Sequence, residues 1–291
     1  MDRTKVVAVF VLSALMVGCS KEPRIVIGAK NFTEQNILGE IVAQQVERQL
    51  HLKVQRRFGL GGTLLAQQAM LSGDLDLYPE YTGTAFTNVL KKAPVEGDNA
   101  ASVLSEVRRG YAGWKLEWLD PLGFNNSFAV AVRGEDARNR HLETISDAAS
   151  DAGGFALGVG YEFLSRQDGL PLLASSYGFR WKGSPKSMDL GLIYEALRQK
   201  QVDMIVASAT DGMLSVLDTK VLRDDRGIFP PYEACLVVRS AALAATPGLK
   251  EALARLSGKI SPENMRKMNY EVDGKHRSAA DVAREFLDSR K

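Results

Sequence analysis

The chain is poor in the residues that carry most metal and redox chemistry, with two cysteines and three histidines among 291 residues. His51, His141 and His276 lie far apart, with no cysteine or paired carboxylate at ligand spacing, so no zinc site is expected. Cys235 sits in an apolar run, Ala234 to Val238, and reads as a buried, inert thiol. If Cys19 is consumed as described below, no disulfide is left to form. Basic runs and basic–aromatic interleaving are also missing, and the net charge is only +2, which argues against a nucleic-acid partner. The chain has no Gly-x-Ser-x-Gly elbow, no phosphate-binding glycine loop and no His-paired nucleophile, so neither an enzyme nor a cofactor is expected. What remains is 45% hydrophobic and 25% charged, an ordinary globular composition with length for one large domain or two medium ones.

The amino terminus carries Arg3 and Lys5, an apolar run from Val6 to Val17, and then Gly18-Cys19. That run is too short for a bilayer core of about 30 Å and suits the core of a signal peptide over residues 1–19. Leu15-Met16-Val17-Gly18-Cys19 resembles a bacterial lipobox with Cys19 as the lipidated residue, although Met16 is a less usual choice there. Several acyl chains on Cys19 would anchor the protein stably to a membrane; the alternative is a plain signal peptide cut nearby. Either way the mature chain works outside the cytoplasm, in the periplasm or on the outer face of the cell membrane.

The centre of the mature sequence is Asp74 to Thr84. Leu75 and Leu77 alternate with Asp74 and Asp76 as in a half-buried strand, and Pro79, lacking an N–H, predicts that the strand stops there. Tyr81 and the Thr82-Gly83-Thr84 turn then fall at the strand's carboxyl end, the edge where open α/β sheets bind ligands. Before it come a strand at 24–29, a helix capped by Asn31 or Thr33, a strand at 53–58, and a helix capped by Thr63 that ends at Gly73. This β-α-β-α-β order predicts a parallel sheet. Further on, 124–132, 155–159, 202–207 and 234–238 read as strands, 187–199 as a helix, and the last 45 or so residues as three helices. Aligning Asp76 with Asp203 superposes Ala69 on Ala196, Leu75 on Val202 and Leu77 on Met204, so two similar lobes could face each other across a cleft.

Five runs in order carry a family resemblance: Gly28 to Gln35, Tyr78 to Thr84, Gly123 to Asn126, Glu162 to Gly169, and Ile193 to Leu197 with Thr210-Asp211-Gly212. Together they resemble the substrate-binding proteins of ABC importers for quaternary-amine osmoprotectants such as glycine betaine, carnitine and choline, from about Arg24 to Leu287. The resemblance implies an α/β, periplasmic-binding-protein-like (type II) fold of two lobes: 24–126 plus 233–291, and 127–232. It also implies a small betaine-like ligand, an ABC permease as partner, and a monomer. By position, Tyr81, Phe128 and Tyr194 would form an aromatic box, and Lys30 and Arg166, assisted by Thr84, would clamp the ligand carboxylate.

The chemistry suits those residue types. A quaternary ammonium has no N–H to donate, but a ring face attracts it, and a desolvated contact is worth about 2 kcal/mol. A guanidinium binds carboxylate bidentately, and lysine adds a point charge. Two unpaired cations would repel across the cleft and favour its open form. Each residue has a plainer role available: Phe128 and Tyr194 as packing, Arg166 as a surface partner of Asp168, Lys30 as a solvated loop residue. The chain departs from the family at Ser208, where many members place a fourth ring, and at Phe128, where many have tyrosine. The opened corner keeps a second reading alive, a same-fold binding or sensor protein for another small polar solute, an amino acid or a larger betaine. Tyr81→Ala and Arg166→Ala are expected to weaken binding while leaving the ligand-free protein about as stable as before.

Overall fold

The computed structural model describes residues 24–95 and 97–290, so the signal segment and Cys19 lie outside the described residues. Arg24–Gly28 forms β1, whose inward residues Ile25 and Ile27 are buried. Helix α1, Thr33–Leu50, turns Ile37, Leu38, Ile41, Val42 and Val46 inward, the stripe expected of a 3.6-residue period. Then follow β2 (Lys53–Arg57), α2 (Thr63–Ser72) and β3 (Leu77–Tyr81), with β1 parallel to both β2 and β3. A short helical segment over 82–89 leads to α3 (Ala100–Ala112) and β4 (Leu116–Trp118).

The chain next builds a second sheet. It contributes β5 (Phe128–Arg133), α4 (Gly134–Arg140), α5 (Ile145–Ser150), β6 (Leu157–Gly160), α6 (Leu170–Tyr177), β7 (Lys186–Met188), α7 (Ile193–Arg198), β8 (Met204–Ser208) and β9 (Thr219–Val221). It returns through β10 (Ala234–Arg239) and closes with α8 (Ser240–Ala245), α9 (Leu249–Ala254), α10 (Pro262–Asp273) and α11 (Ala279–Asp288). The strand orders are β2-β1-β3-β10-β4 and β7-β6-β8-β5-β9, the same pattern twice. Separate hydrophobic clusters pack against each sheet, so each lobe has its own core.

The aspartates aligned in the sequence occupy equivalent joints. Asp76 accepts from the Val26 amide at 2.8 Å and from Arg239 at 2.6 Å, tying β1 to β10. Asp203 accepts from the Ala156 amide at 3.0 Å and from Arg133 at 2.8 Å, tying the entry of β6 to β5. Two adjacent extended segments join the lobes. Asn125 bridges Glu233, the Asn126 amide donates to the Tyr232 carbonyl at 3.0 Å, and the Tyr232 amide donates to Asn125 Oδ1 at 2.6 Å.

Three local expectations are corrected. Pro79 lies inside β3, opposite Leu236. The Leu236 carbonyl accepts from the Leu119 amide on the far side of β10, so Pro79–Leu236 is a pair that exchanges no hydrogen bonds; the Pro79 nitrogen turns toward β1, and it lies two residues past the Ile27–Leu77 pairing of those strands. Asn31, Thr33 and Thr63 are not side-chain caps: Phe32 and Gly62 hold the N-cap positions, and both threonines are the first helical residues. The predicted helix from Ser187 starts only at Ile193, because Lys186–Met188 pairs along β6 as an edge strand.

Candidate ligand-binding cleft

Where the carboxyl ends of β1, β3, β6 and β8 face one another, the lobes enclose a hollow of about 770 Å³. All seven sequence-predicted positions line it: Lys30, Tyr81, Thr84, Phe128, Arg166, Tyr194 and Ser208. Such a volume lies within the usual range for sites that hold small organic ligands, ~300–1,000 Å³.

Lys30 leaves β1 and is buried, with Nζ 2.7 Å from Glu80 Oε1 and 3.3 Å from Thr63 Oγ1. The same ammonium lies 5.0 Å from the Tyr81 ring centroid and 5.7 Å from that of Phe32, which stacks on Tyr81. Arg166 follows the turn Tyr161–Leu164 and grips Asp168 with two bonds, Nε to Oδ1 at 2.9 Å and Nη2 to Oδ2 at 2.7 Å. Its Nη2 also donates to Thr84 Oγ1 at 3.1 Å, and its guanidinium sits 5.1 Å from the Phe128 centroid. Each cation thus arrives with its own carboxylate, so the expected mutual repulsion does not arise. Rings and cations also interleave along the cleft instead of forming two opposed sets.

Phe128 opens β5, half-buried, opposite Ser208 in the antiparallel register. Phe163, Phe229 and Tyr232 meet it edge-on at 5.0, 5.3 and 5.4 Å. Tyr194, on α7, packs in the second lobe's cluster with Ile193 and Leu197, and its hydroxyl faces the Asp211 carboxyl.

Asp168 holds the two lobes together. Besides Arg166 it accepts from Thr87 Oγ1 at 2.8 Å and Asn88 Nδ2 at 2.9 Å, both from the first lobe, and from the Tyr232 hydroxyl at 2.7 Å. Burial alone would raise this carboxyl, but Arg166 and the neutral donors outweigh it and hold it down at about 2. Because Asp168 is buried, Arg166→Ala should destabilise the fold as well as weaken binding, which corrects the expectation for that variant. A further seam is the Thr63 amide donating to Glu162 Oε1 at 3.0 Å, which places a second-lobe carboxylate at the amino end of α2.

The cleft also has an acidic end that the sequence reading missed. Glu34 is buried and accepts from the Tyr81 hydroxyl at 2.7 Å, Asn126 Nδ2 at 2.8 Å, Asn269 Nδ2 at 3.0 Å and Thr210 Oγ1 at 2.5 Å. Burial raises its pKa against the pull of those four donors. Asp211 accepts from the Met213 amide at 3.2 Å; burial pushes its carboxyl up to about 6 against the pull of the Tyr194 hydroxyl and the Met213 amide, with Asp273 and Glu34 adding to the rise. Among the described residues none of Glu34, Asp211 and Asp273 has an ion-pair partner. Glu34 and Asp211 stand inside the quoted motif runs, and Asn269 and Asp273 lie one turn apart on α10, but only the fold brings them together.

Since the folded Asp211 pKa of about 6 exceeds its ordinary 3.8, ionising this group costs stability above that range and costs nothing below it. Asp211→Asn is therefore expected to stabilise the ligand-free protein by about 1–2 kcal/mol at neutral pH, a figure discounted for contact with cleft water. The gain should vanish as pH falls to roughly 4. Urea titrations at several pH values measure it, and a neutral or destabilising effect near pH 7 would contradict an ionised, unpaired Asp211.

Comparison with known proteins gives a consistent picture. Residues 23–289 match the family model described as the substrate binding domain of ABC-type glycine betaine transport system. The carnitine transport binding protein OpuCC of Listeria monocytogenes is 35% identical over 273 residues, which are 93% of this chain and 88% of that protein. The ergothioneine transport permease/ergothioneine binding protein EgtU of Helicobacter pylori is 35% identical over 269 residues, 92% of this chain. This chain spans about half (48%) of that relative's length. A crystal structure of a glycine betaine/carnitine/choline ABC transporter superposes with a TM-score of 0.75 at 33% identity, covering 91% of this chain and 98% of that one.

Proposed function

The chain belongs to the family of substrate-binding domains of ABC-type glycine betaine transport systems, and from that membership we propose that it captures a quaternary-ammonium carboxylate outside the cytoplasm and hands it to an ABC permease. The ligand is held, not transformed. Tyr81, Phe128 and Tyr194 present ring faces to the trimethylammonium group. Arg166 meets the carboxylate through Nη1, which has no hydrogen-bond partner among the described residues, while Lys30 adds positive potential and Thr84 orients Arg166. The lobes, 24–126 plus 233–291 and 127–232, close over the ligand as one hinged unit, and the protein acts as a monomer. Cys19 carries a lipid anchor. Among the described residues no helix is long and apolar enough to cross a membrane.

The observation that carries this reading is the convergence of seven residues from both lobes, aromatic, cationic and hydroxyl-bearing, on one hollow that also holds the carboxylates of Glu34, Asp211 and Asp273. A zwitterion, which needs both cationic and anionic or aromatic partners, fits that lining. Carnitine, glycine betaine and ergothioneine, the solutes named for relatives, each combine a trimethylammonium group with a carboxylate. Calorimetric titration of the purified mature protein with glycine betaine, carnitine, choline and unmethylated amino acids tests it. Binding confined to methylated ammonium compounds is expected, and indifference to all of them would sink the reading.

Ser208 offers a separate check. It is half-buried in the cleft wall opposite Phe128, so Ser208→Tyr adds a ring beside the box. Glycine betaine should bind about tenfold tighter, the equivalent of ~1–2 kcal/mol. An unchanged affinity would remove position 208 from the site.

A further inference from the structure

Helix α2 starts without the kind of residue that usually closes a helix end. Gly62 holds its N-cap position in extended backbone and has no side chain to accept from the first amides. The acceptor comes from the other lobe: the Thr63 amide donates to Glu162 Oε1 at 3.0 Å, where the helix dipole also favours a negative charge. That fit depends on the glycine, since a Cβ built on Gly62 would stand 1.9 Å from the same oxygen. The backbone does not itself demand glycine, because φ there is −94°. Thr63 is buried, and its Oγ1 accepts from Lys30 Nζ at 3.3 Å. A carboxylate of the second lobe thus ends a chain of contacts that reaches the buried cation of the first. Within its own lobe that carboxylate holds nothing. The turn Tyr161–Leu164 uses the Glu162 carbonyl, which accepts from the Ser165 and Arg166 amides at 3.1 and 3.0 Å. Among the described residues the carboxylate has no ion-pair partner.

We infer that Glu162 is a positioning residue for ligand capture, a cap for α2 that one lobe supplies to the other and that exists only while the two are together. The inference rests on the betaine reading for its probe, and it adds a source of closing free energy that does not touch the solute. With the lobes apart, α2 is uncapped and Glu162 is solvated. Bringing them together satisfies the Thr63 amide and settles the Lys30 side of the cleft. Solute enters before that contact forms, so the cap governs how long the solute stays and not how fast it arrives. Losing a side-chain cap shifts such an equilibrium by about fivefold. Glu162 is exposed at the cleft rim, so truncating it opens no cavity in either core.

The test uses the tighter-binding of glycine betaine and carnitine with the wild-type mature protein, Glu162→Ala, Gly62→Ser and the double variant. Calorimetry gives affinity, stopped-flow tryptophan fluorescence gives the rates, and melting curves report the ligand-free proteins. Glu162→Ala should bind about fivefold more weakly through faster release, with its association rate and melting temperature unchanged. Gly62→Ser is the sharper probe. Its serine caps α2 locally and displaces Glu162, so the ligand-free protein should melt no lower while affinity falls by the same factor. A merely structural role would move stability and affinity together. The double variant should bind no worse than either single one, because both remove the same contact. Affinity in Glu162→Ala within about twofold of wild type overturns the cap. So does tighter binding, which would make the carboxylate a competitor of the solute's own for Arg166. A clear fall in the ligand-free melting temperature of either single variant overturns it as well, since the contact would then hold the resting protein together. If the wild type ignores both betaines, the betaine reading falls alone, and small-angle scattering of ligand-free wild type and Glu162→Ala decides instead. A larger radius of gyration in the variant supports the cap, and equal radii overturn it.

Discussion

Asp168→Ala should lower the stability of the ligand-free protein by about 3–5 kcal/mol, the usual cost of removing one partner from a buried charge pair. Five hydrogen bonds end on this side chain, two from Arg166 and one each from Thr87, Asn88 and Tyr232. Its side chain is fully buried and that of Arg166 is 14% exposed, so truncation strands a guanidinium that water reaches poorly. The effect should depend on pH. With a folded pKa of about 2 against an ordinary 3.8, Asp168 stabilises the fold above the ordinary value, and that contribution drains away as pH falls through the folded one. Roughly 2 kcal/mol of wild-type stability should therefore be lost on acidification, and the isosteric Asp168→Asn should lack this slope. Binding should weaken in both variants, because Arg166 would no longer be aimed along the cleft. Urea denaturation and calorimetry read the two effects separately. A loss of under about 1 kcal/mol would mean that the pair behaves like an exposed surface bridge.

How much of this was legible in the sequence follows the range of the forces involved. The local signals, hydrophobic period and terminating glycines, placed α1, α2 and the principal strands, and the short alignment of Asp76 with Asp203 matched two equivalent joints in the fold. Pro79 misled because a proline is harmless in a strand when its nitrogen faces no partner, which is a property of the neighbouring strands and not of the tripeptide. Thr63 was read as a cap, whereas the donor beside it is answered by Glu162, ninety-nine residues away. The same blindness explains the site. Lys30 looks like a free cation in the sequence, but Glu80, fifty residues off, neutralises it; the Arg166–Asp168 pair is legible two residues apart, but as a surface pair, whereas the fold buries it. Glu34, Asn269 and Asp273 form a single acidic end only once α10 has folded back over the start of α1.

Closure itself can be tested at one atom. Gly212 begins the turn after Asp211 in the second lobe, and a Cβ built there would stand 2.5 Å from the Tyr270 amide nitrogen and 2.7 Å from its Cα, both on α10 of the first lobe. That backbone cannot swing aside as a flexible side chain would. Nor does the glycine serve a left-handed conformation, so alanine is not strained by its own backbone. The whole penalty of Gly212→Ala therefore falls on this contact between the lobes, in which Asn269 Nδ2 reaches the Thr210 carbonyl at 2.9 Å and Arg266 Nε reaches that of Ala209 at 3.0 Å. Overpacking against fixed atoms costs about 1–3 kcal/mol, and at the upper end betaine affinity should fall roughly 100-fold. Each lobe keeps its own core, so the melting temperature of the ligand-free variant should scarcely move. Calorimetry and a thermal melt on one preparation decide the matter. Undiminished affinity would show that ligand capture proceeds without bringing the Gly212 turn against Tyr270, whereas a large drop in the ligand-free melting temperature would show that this seam holds the resting protein together and is not reserved for the bound state.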